Sequence, residues 1–318
     1  MDFMDLFFIS LGFAVLFYYG VKLLLFSRML YPEVWFPTPN SFFRFMGEWA
    51  VVTAGSDGIG KAYAFELASQ GINVVILSRT KDKLDRAAKE IDKLQTSLFI
   101  ILGETTGQKV KVIVADFTEE KHFAEIENSL KDLNIGVLVN NVGMLPSSIP
   151  CKFLETQDLE ETITKVINCN VKTMVKMCRI ILPGMEKRRK GVIINVSSGV
   201  VCNPPPLYTL YTASKVFVER FSCGLQAEYK DKGVIIQAVT PFGVSTPMTG
   251  HMKTNMITLS PENFVKSSLQ YIRAGDKTYG SICHMGWLLQ AIPPQVLHTE
   301  SMMTRLKCHV KKTTKQRT

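Results

Sequence analysis

The chain has 318 residues, of which 46% are hydrophobic and 20% charged, and a net charge of +9. That balance excludes a disordered, collagen-like or low-complexity chain and leaves one large domain or two small ones. Residues 305–318 hold six basic residues and no acid, so the rest of the chain is only +3, which argues against a nucleic-acid-binding surface spread over the fold. The tail reads as a solvated end, with contact to anionic lipid headgroups as its functional alternative. Seven cysteines, an odd number without a Cys-x-x-Cys pair, and five scattered histidines suggest no disulfide framework and no metal site, and place the core in a reducing compartment.

In chain order, the first feature is Leu6 to Val21, sixteen residues without a charge; after Lys22 the apolar run continues to Phe26. Counted through, the run reaches the roughly 20 residues that a bilayer core requires, provided Lys22 reaches back to the headgroups. The start is acidic (Asp2, Asp5), unlike a cleaved signal peptide, and Lys22, Arg28 and Arg44 follow the run. The positive-inside rule then puts the remainder on the cytosolic side of an uncleaved membrane anchor. Residues 31–41 (YPEVWFPTPNS), with three prolines, read as an extended linker near the interface, outside the core.

From Glu48 the pattern changes. Short apolar, β-branched runs at 49–54, 72–78, 109–117, 135–141, 191–198 and 233–240 predict six buried strands. Between them, helical patterns follow the glycine-rich turn (residues 61–70) and fill 81–94, 157–189 and 210–231. Strands separated by helices imply βαβ units, hence an α/β fold with a doubly wound parallel sheet of Rossmann type. The organisation is an anchor and linker (1–47), a single catalytic domain (48–280) and an apolar segment with a basic tail (281–318).

Gly55, Gly58 and Gly60 sit between the first strand and the first helix. Glycines there allow a tight turn and bring backbone N–H groups and a helix N-terminus to a pyrophosphate. An ordinary turn uses glycine too, but the strand–turn–helix context favours the dinucleotide reading. The second strand ends in Ser78-Arg79 with no acid. A cation there pairs with a 2′-phosphate, which favours NADPH over NAD.

Tyr211-Thr-Ala-Ser-Lys215 opens a predicted helix, and the i, i+4 spacing puts phenol and ammonium on one face. The ammonium is expected to lower the phenol pKa, so that Tyr211 can pass a proton to a carbonyl oxygen as hydride reaches its carbon. Tyr208 lacks a lysine four residues on. Ser198 stands thirteen residues before Tyr211, at the end of the fifth strand, where ligands bind such sheets. Ser197 is its neighbour, and alternation along the strand lets one of the two face the site.

Together these residues resemble the short-chain dehydrogenase/reductase family over about residues 48–250. TAGSDGIG is similar to its glycine motif, Asp116 to its adenine-contacting acid, and Asn140-Asn141-Val142-Gly143 to its N-N-A-G segment. The resemblance implies a catalytic set of Asn170, Ser198, Tyr211 and Lys215. It implies a cofactor loop of Gly55, Ser56, Asp57, Gly58, Ile59 and Gly60, with Ser78, Arg79, Asp116, Asn141, Tyr211, Lys215, Val244 and Thr246 as further cofactor contacts. Lys215 would hold the nicotinamide ribose, Asn170 would position a water in the proton relay, and residues 241–246 would close over the nicotinamide. Ser198 and Tyr211 would hold the substrate ketone.

DGIGKAY, LVNNVGMLP, the Leu207-Tyr208 to Tyr211 spacing and VSTPMT resemble a ketosteroid-reducing branch of that family. The resemblance implies NADPH-dependent reduction of a 17-ketosteroid, androstenedione to testosterone, by an enzyme of the endoplasmic reticulum membrane facing the cytosol. A homodimer is common in the family, although the sequence itself does not set the oligomeric state. Two other readings compete. Reduction of a very-long-chain 3-oxoacyl-CoA would want basic residues at the pocket mouth, and Lys253 is the one such residue in 244–260. A non-catalytic NADPH-binding membrane scaffold would be favoured by a lost catalytic residue, and none is lost.

Two departures from the family pattern stand out. Ala54 follows Thr53 where the family has glycine, with Gly55 one place later as a compensating, shifted turn. About a dozen residues around Leu94–Glu104 are extra. Their apolar run extends the second helix, packs on the membrane, or reflects a faulty gene model. Residues 286–297 (GWLLQAIPPQVL) are too short and too broken to span a bilayer, and cover the substrate entrance, dip into the membrane or pack on the core.

Overall fold

The computed structural model describes residues 2–39, 41–102, 108–202, 205–284 and 304. It opens with helix α1 (Phe3–Leu30), whose stretch Phe3–Arg28 is long and apolar enough to cross a membrane and is unburied by the protein. Next come two short helices, α2 (Pro32–Trp35) and α3 (Phe42–Met46). The linker is therefore not extended: proline at the first helical position seeds a turn there. Nor does the core begin at residue 48, since Phe43 and Met46 are buried in it.

Alternation then begins with β1 (Trp49–Thr53), α4 (Gly58–Ser69), β2 (Asn73–Ser78), α5 (Lys81–Leu102), β3 (Val110–Val114), α6 (Phe123–Leu130) and β4 (Ile135–Asn140). Helix α7 (Leu159–Ile167) runs through a π-helical turn (Asn168–Lys172) into α8 (Thr173–Arg188), followed by β5 (Gly191–Val196), α9 (Thr209–Tyr229) and β6 (Val234–Val239). The two-residue strands β7 (Gly243–Val244) and β8 (Thr258–Leu259) pair with each other; α10 (Pro261–Gln270) and β9 (Lys277–Thr278) follow.

Seven strands form one parallel sheet in the order β3-β2-β1-β4-β5-β6-β9. Strands β4 and β5 are buried throughout, as continuous apolar runs require when helices cover both faces. Alternate residues feed two cores. Val52, Val74 and Ile76 meet α4, α5 and α10 through Leu67, Leu84 and Phe264; Val51, Val75 and Leu138 meet α6, α8 and α9 through Ile126, Met177 and Val218. Each such fully buried side chain contributes about 1.5–3 kcal/mol.

Helices α6 and α10 and strand β9 were not foreseen from the sequence. Helix α6 is short and acidic between its apolar residues. The start of α10 does carry a signal, Ser260 capping the Asn263 N–H at 3.2 Å with Pro261 next. Helix α5 continues to Leu102, so the extra apolar run lengthens that helix. Residues 285–303 and 305–318, including the apolar segment 286–297 and the basic tail, lie outside the described residues.

Candidate active site

The C-terminal ends of β1, β4, β5 and β6 converge where the strand order reverses, the usual ligand crevice of an open α/β sheet. At the end of β1, Ala54 adopts φ 51° and Gly55 does not adopt a positive φ. The turn is thus unshifted, with alanine in the left-handed conformation that favours glycine. Gly55 is small for another reason: a Cβ there would lie 2.9 Å from Ile76 Cγ2. Gly60, at the start of α4, faces the Ala54 carbonyl, and a Cβ on it would lie 2.2 Å from that oxygen and 2.4 Å from Asn141 Nδ2. Gly58 has φ +54°, with Thr246 Cγ2 3.2 Å from the place of its absent Cβ. The backbone cradle at the N-terminus of α4 therefore fits a pyrophosphate, with Thr246 facing it from beyond β7.

The neighbouring side chains are ordered by short bonds. Asp57 accepts from the Gly58 N–H at 2.8 Å and pairs with Lys83 at 3.1 Å, while Ser56 Oγ donates to Ser78 Oγ at 2.9 Å. Ile59 packs against the core, and Arg79 is exposed at the end of β2. Burial of Asp116 acts to raise its pKa, but two hydrogen bonds from Thr118 and the Arg79 charge outweigh it and hold the carboxyl below its ordinary value. Thr53, which the sequence reading passed over, is the hub: its buried Oγ1 accepts from the N–H groups of Asn141 (2.9 Å) and Val142 (3.1 Å). Asn141 Nδ2 in turn donates to the Thr53 carbonyl at 3.3 Å. A second missed set, Asn140 to Asn195 (2.8 Å) to Ser222 (2.9 Å), ties β4, β5 and α9. Polar residues closing apolar strands were its signal.

On the other side of the cleft, Ser198 and Ser197 point apart. The Ser198 and Tyr211 side chains are hydrogen-bonded, whereas Ser197 Oγ is buried and donates to the Lys215 carbonyl at 2.7 Å. Lys215 is 4% exposed; its Nζ donates to the Val196 carbonyl at 2.9 Å and lies 5.9 Å from the Tyr211 ring centre. Burial lowers its pKa to about 8. Burial also raises that of Tyr211, against the lowering expected from the lysine. The two groups share a helix face, yet desolvation of the phenol dominates with the ammonium turned to the Val196 carbonyl, and Tyr211 is held protonated.

Asn170 sits in the π-helical turn between α7 and α8, the kind of local bulge that often re-aims a side chain at a functional site. Its Oδ1 accepts from the Met144 N–H (2.8 Å), and its Nδ2 donates to the Met144 carbonyl (3.1 Å) and Ser214 Oγ (2.9 Å). Ser214 donates to the Tyr211 carbonyl at 2.6 Å. Asn170 therefore braces the first turn of α9 from behind. Val244 is buried in β7. A cleft of about 20 Å³ lined by Pro146, Ile149, Phe153, Leu207, Tyr208 and Leu210 lies beside the start of α9, with room for about one water.

The short chain dehydrogenase family pattern matches residues 48–256. The chain belongs to the short-chain dehydrogenase family. Within this family it is 54% identical over 309 residues to the 17-beta-hydroxysteroid dehydrogenase type 3 of Danio rerio, covering 96% of this chain and 97% of that one. It is 45% identical over 262 residues to the very-long-chain 3-oxoacyl-CoA reductase of Anas platyrhynchos, covering 81% and 80%. Among solved structures, a short-chain dehydrogenase from Sphingobium yanoikuyae in complex with NADPH superposes with a TM-score of 0.62 at 27% identity, over 72% of this chain and 86% of that one.

Proposed function

We propose that the protein is a membrane-anchored, NADPH-dependent 17-ketosteroid reductase. The Ser198–Tyr211 pair, its phenol buried beside a glycine-cradled dinucleotide cleft, carries this reading. The ketosteroid substrate is supported by the match to the type 3 hydroxysteroid dehydrogenase, which spans 96% of the chain where the acyl-CoA reductase match spans 81%. Bound NADPH supplies the hydride to the ketone carbon. Ser198 and Tyr211 hold the ketone oxygen, and Tyr211 gives it the proton as negative charge develops there. Lys215 sustains that transfer as the buried cation nearest the phenol's helix turn and as the hold on the nicotinamide ribose. Asn170 keeps the Tyr211 turn in place and positions the relay water.

Gly55 through Gly60 with Asn141 cradle the pyrophosphate, Asp116 meets the adenine, and Ser78 and Arg79 meet a 2′-phosphate. Exposed Arg79 beside no acid on β2 supports NADPH over NAD. Val244 and Thr246 cover the nicotinamide side. Helix α1 anchors the chain in the endoplasmic reticulum membrane, with Arg28 and Arg44 on the cytosolic side beside the catalytic domain.

The deciding experiment follows NADPH and NADH oxidation by membranes carrying the full chain, with androstenedione and a long-chain 3-oxoacyl-CoA in parallel. Turnover of androstenedione with NADPH is expected. Turnover of the acyl-CoA alone assigns the second chemistry, and NADPH binding without turnover of either overturns the reductase reading in favour of a scaffold.

A further inference from the structure

The foot of α1 does not hang free of the catalytic domain. Glu33 Oε1 accepts from Gln270 Nε2 at 2.5 Å, and Arg273 Nη1 donates to the Pro37 carbonyl at 2.9 Å. These bonds dock the linker on the end of α10 and the segment leading to β9. Beside them lies a half-open cavity of about 390 Å³ whose walls include Leu25, Arg28, Phe36, Ala274, Lys277 and Tyr279. Its volume lies within the range of small-molecule sites, roughly 300–1,000 Å³, whereas the cleft at Tyr208 holds about 20 Å³.

The cavity has two distinct ends. At one, Leu25 and Arg28 belong to the last turns of the membrane-spanning stretch, which places this mouth at the boundary between acyl chains and headgroups. At the other, the Tyr279 hydroxyl meets Cys202 Sγ at 3.5 Å. Cys202 closes the turn that starts at Ser198, and Ser198 is bonded to Tyr211. Tyr279 therefore stands between the cavity and the catalytic serine turn.

The lining suits a neutral, mostly apolar molecule with a polar tip. Lys277 is neutralised by Glu219 at 2.9 Å. Arg28 lies over the rings of Trp35 (5.9 Å) and Phe36 (4.9 Å). The polar side of the lining is made by the hydroxyl-bearing residues Tyr271, Thr278, Tyr279 and Ser281. We propose that this cavity is the vestibule through which the hydrophobic ketone passes from the bilayer, and that Tyr279 is the gate between it and the catalytic turn. The proposal rests on the ketosteroid reading above and adds a route to it: a substrate that partitions into lipid is collected at the anchor's foot.

The test uses the full chain in phosphatidylcholine vesicles. Ala274→Trp, which fills the cavity away from the reacting groups, is expected to raise KM for androstenedione about tenfold, with kcat and NADPH affinity unchanged. Ala274→Leu is expected to fall in between, and it carries the test should the tryptophan variant lose NADPH binding through misfolding. Wild-type KM in a variant that still binds NADPH overturns the proposal. A second readout does not depend on turnover: androstenedione is expected to slow N-ethylmaleimide labelling at position 274 of Ala274→Cys, read by peptide mass. Protection by phosphatidylserine but not by androstenedione assigns the cavity to a lipid headgroup and overturns it. Should the wild type turn over no androstenedione, the functional reading fails by itself, and the labelling assay still decides what the cavity holds.

Discussion

Tyr211 and Lys215 show how burial divides labour between two groups one helical turn apart. Desolvation keeps the phenol protonated at neutral pH, ready to serve as acid, while it brings the lysine down to about 8. Tyr211→Phe is expected to lower kcat by a factor of about 10²–10⁴, the usual share of a positioned acid, with NADPH affinity nearly intact. Ketone reduction is expected to decline as pH rises through about 8, where Lys215 gives up its proton; a pH profile of kcat/KM flat to pH 10 would refute that role. Ala54 is the strained residue, held at φ 51°. Alanine in this region costs roughly 1–2 kcal/mol, offset in part by the larger unfolded-state entropy of glycine. Ala54→Gly should therefore stabilise the protein by about 0.5–1 kcal/mol, seen as a higher Tm.

Among the elements, the paired strands β7 and β8 depend on a residue far along the chain. His284 Nε2 lies 3.0 Å from both the Gly243 and Ile257 carbonyls, and the Phe242 N–H reaches its Nδ1 at 3.4 Å. A neutral ring with its proton on Nε2 satisfies all three contacts. Burial depresses its pKa, although the two carbonyls act to raise it. With the folded value below the unfolded one, stability is complete above about pH 6.5. It is lost as pH falls below that value, because the unfolded chain takes up the proton first. Tm should drop between pH 7 and 5.5, and His284→Gln should flatten that slope; an unchanged slope in the variant would place the acid sensitivity elsewhere.

At the level of the whole molecule, the segment after α1 and the sheet share one core. Phe43 is 3% exposed and packs in the same core as Ala50 and Tyr63. Phe43→Ala is expected to cost about 3–5 kcal/mol, as core phenylalanine truncations do, and to be seen in thermal unfolding of the detergent-solubilised protein. A cost below 1 kcal/mol would mean that the linker is a passive tether. Over roughly 39 Å of helix, at 1.5 Å per residue, Phe3–Arg28 exceeds a bilayer core of about 30 Å.

The apolar N-terminal helix, the six long strands and the order of the site motifs were legible in the chain, because they depend on periodicity and on local chemistry. Apolar runs of strand length, glycines after the first and a Tyr–Lys pair at helical spacing need no tertiary context to be seen. The seventh strand was not legible, because two residues carry no period; β9 exists through its pairing with β6. The linker was misread because its prolines suggested an extended chain, while Pro32 in fact opens a helical turn. The direction of the Tyr211 shift needed the fold as well: spacing sets which groups are neighbours, but burial depends on what packs around them. Sequence alone thus determined the class of chemistry. Tertiary structure decided which serine faces Tyr211, how Asn170 braces it, and that the foot of α1 borders a cavity shared with Tyr279.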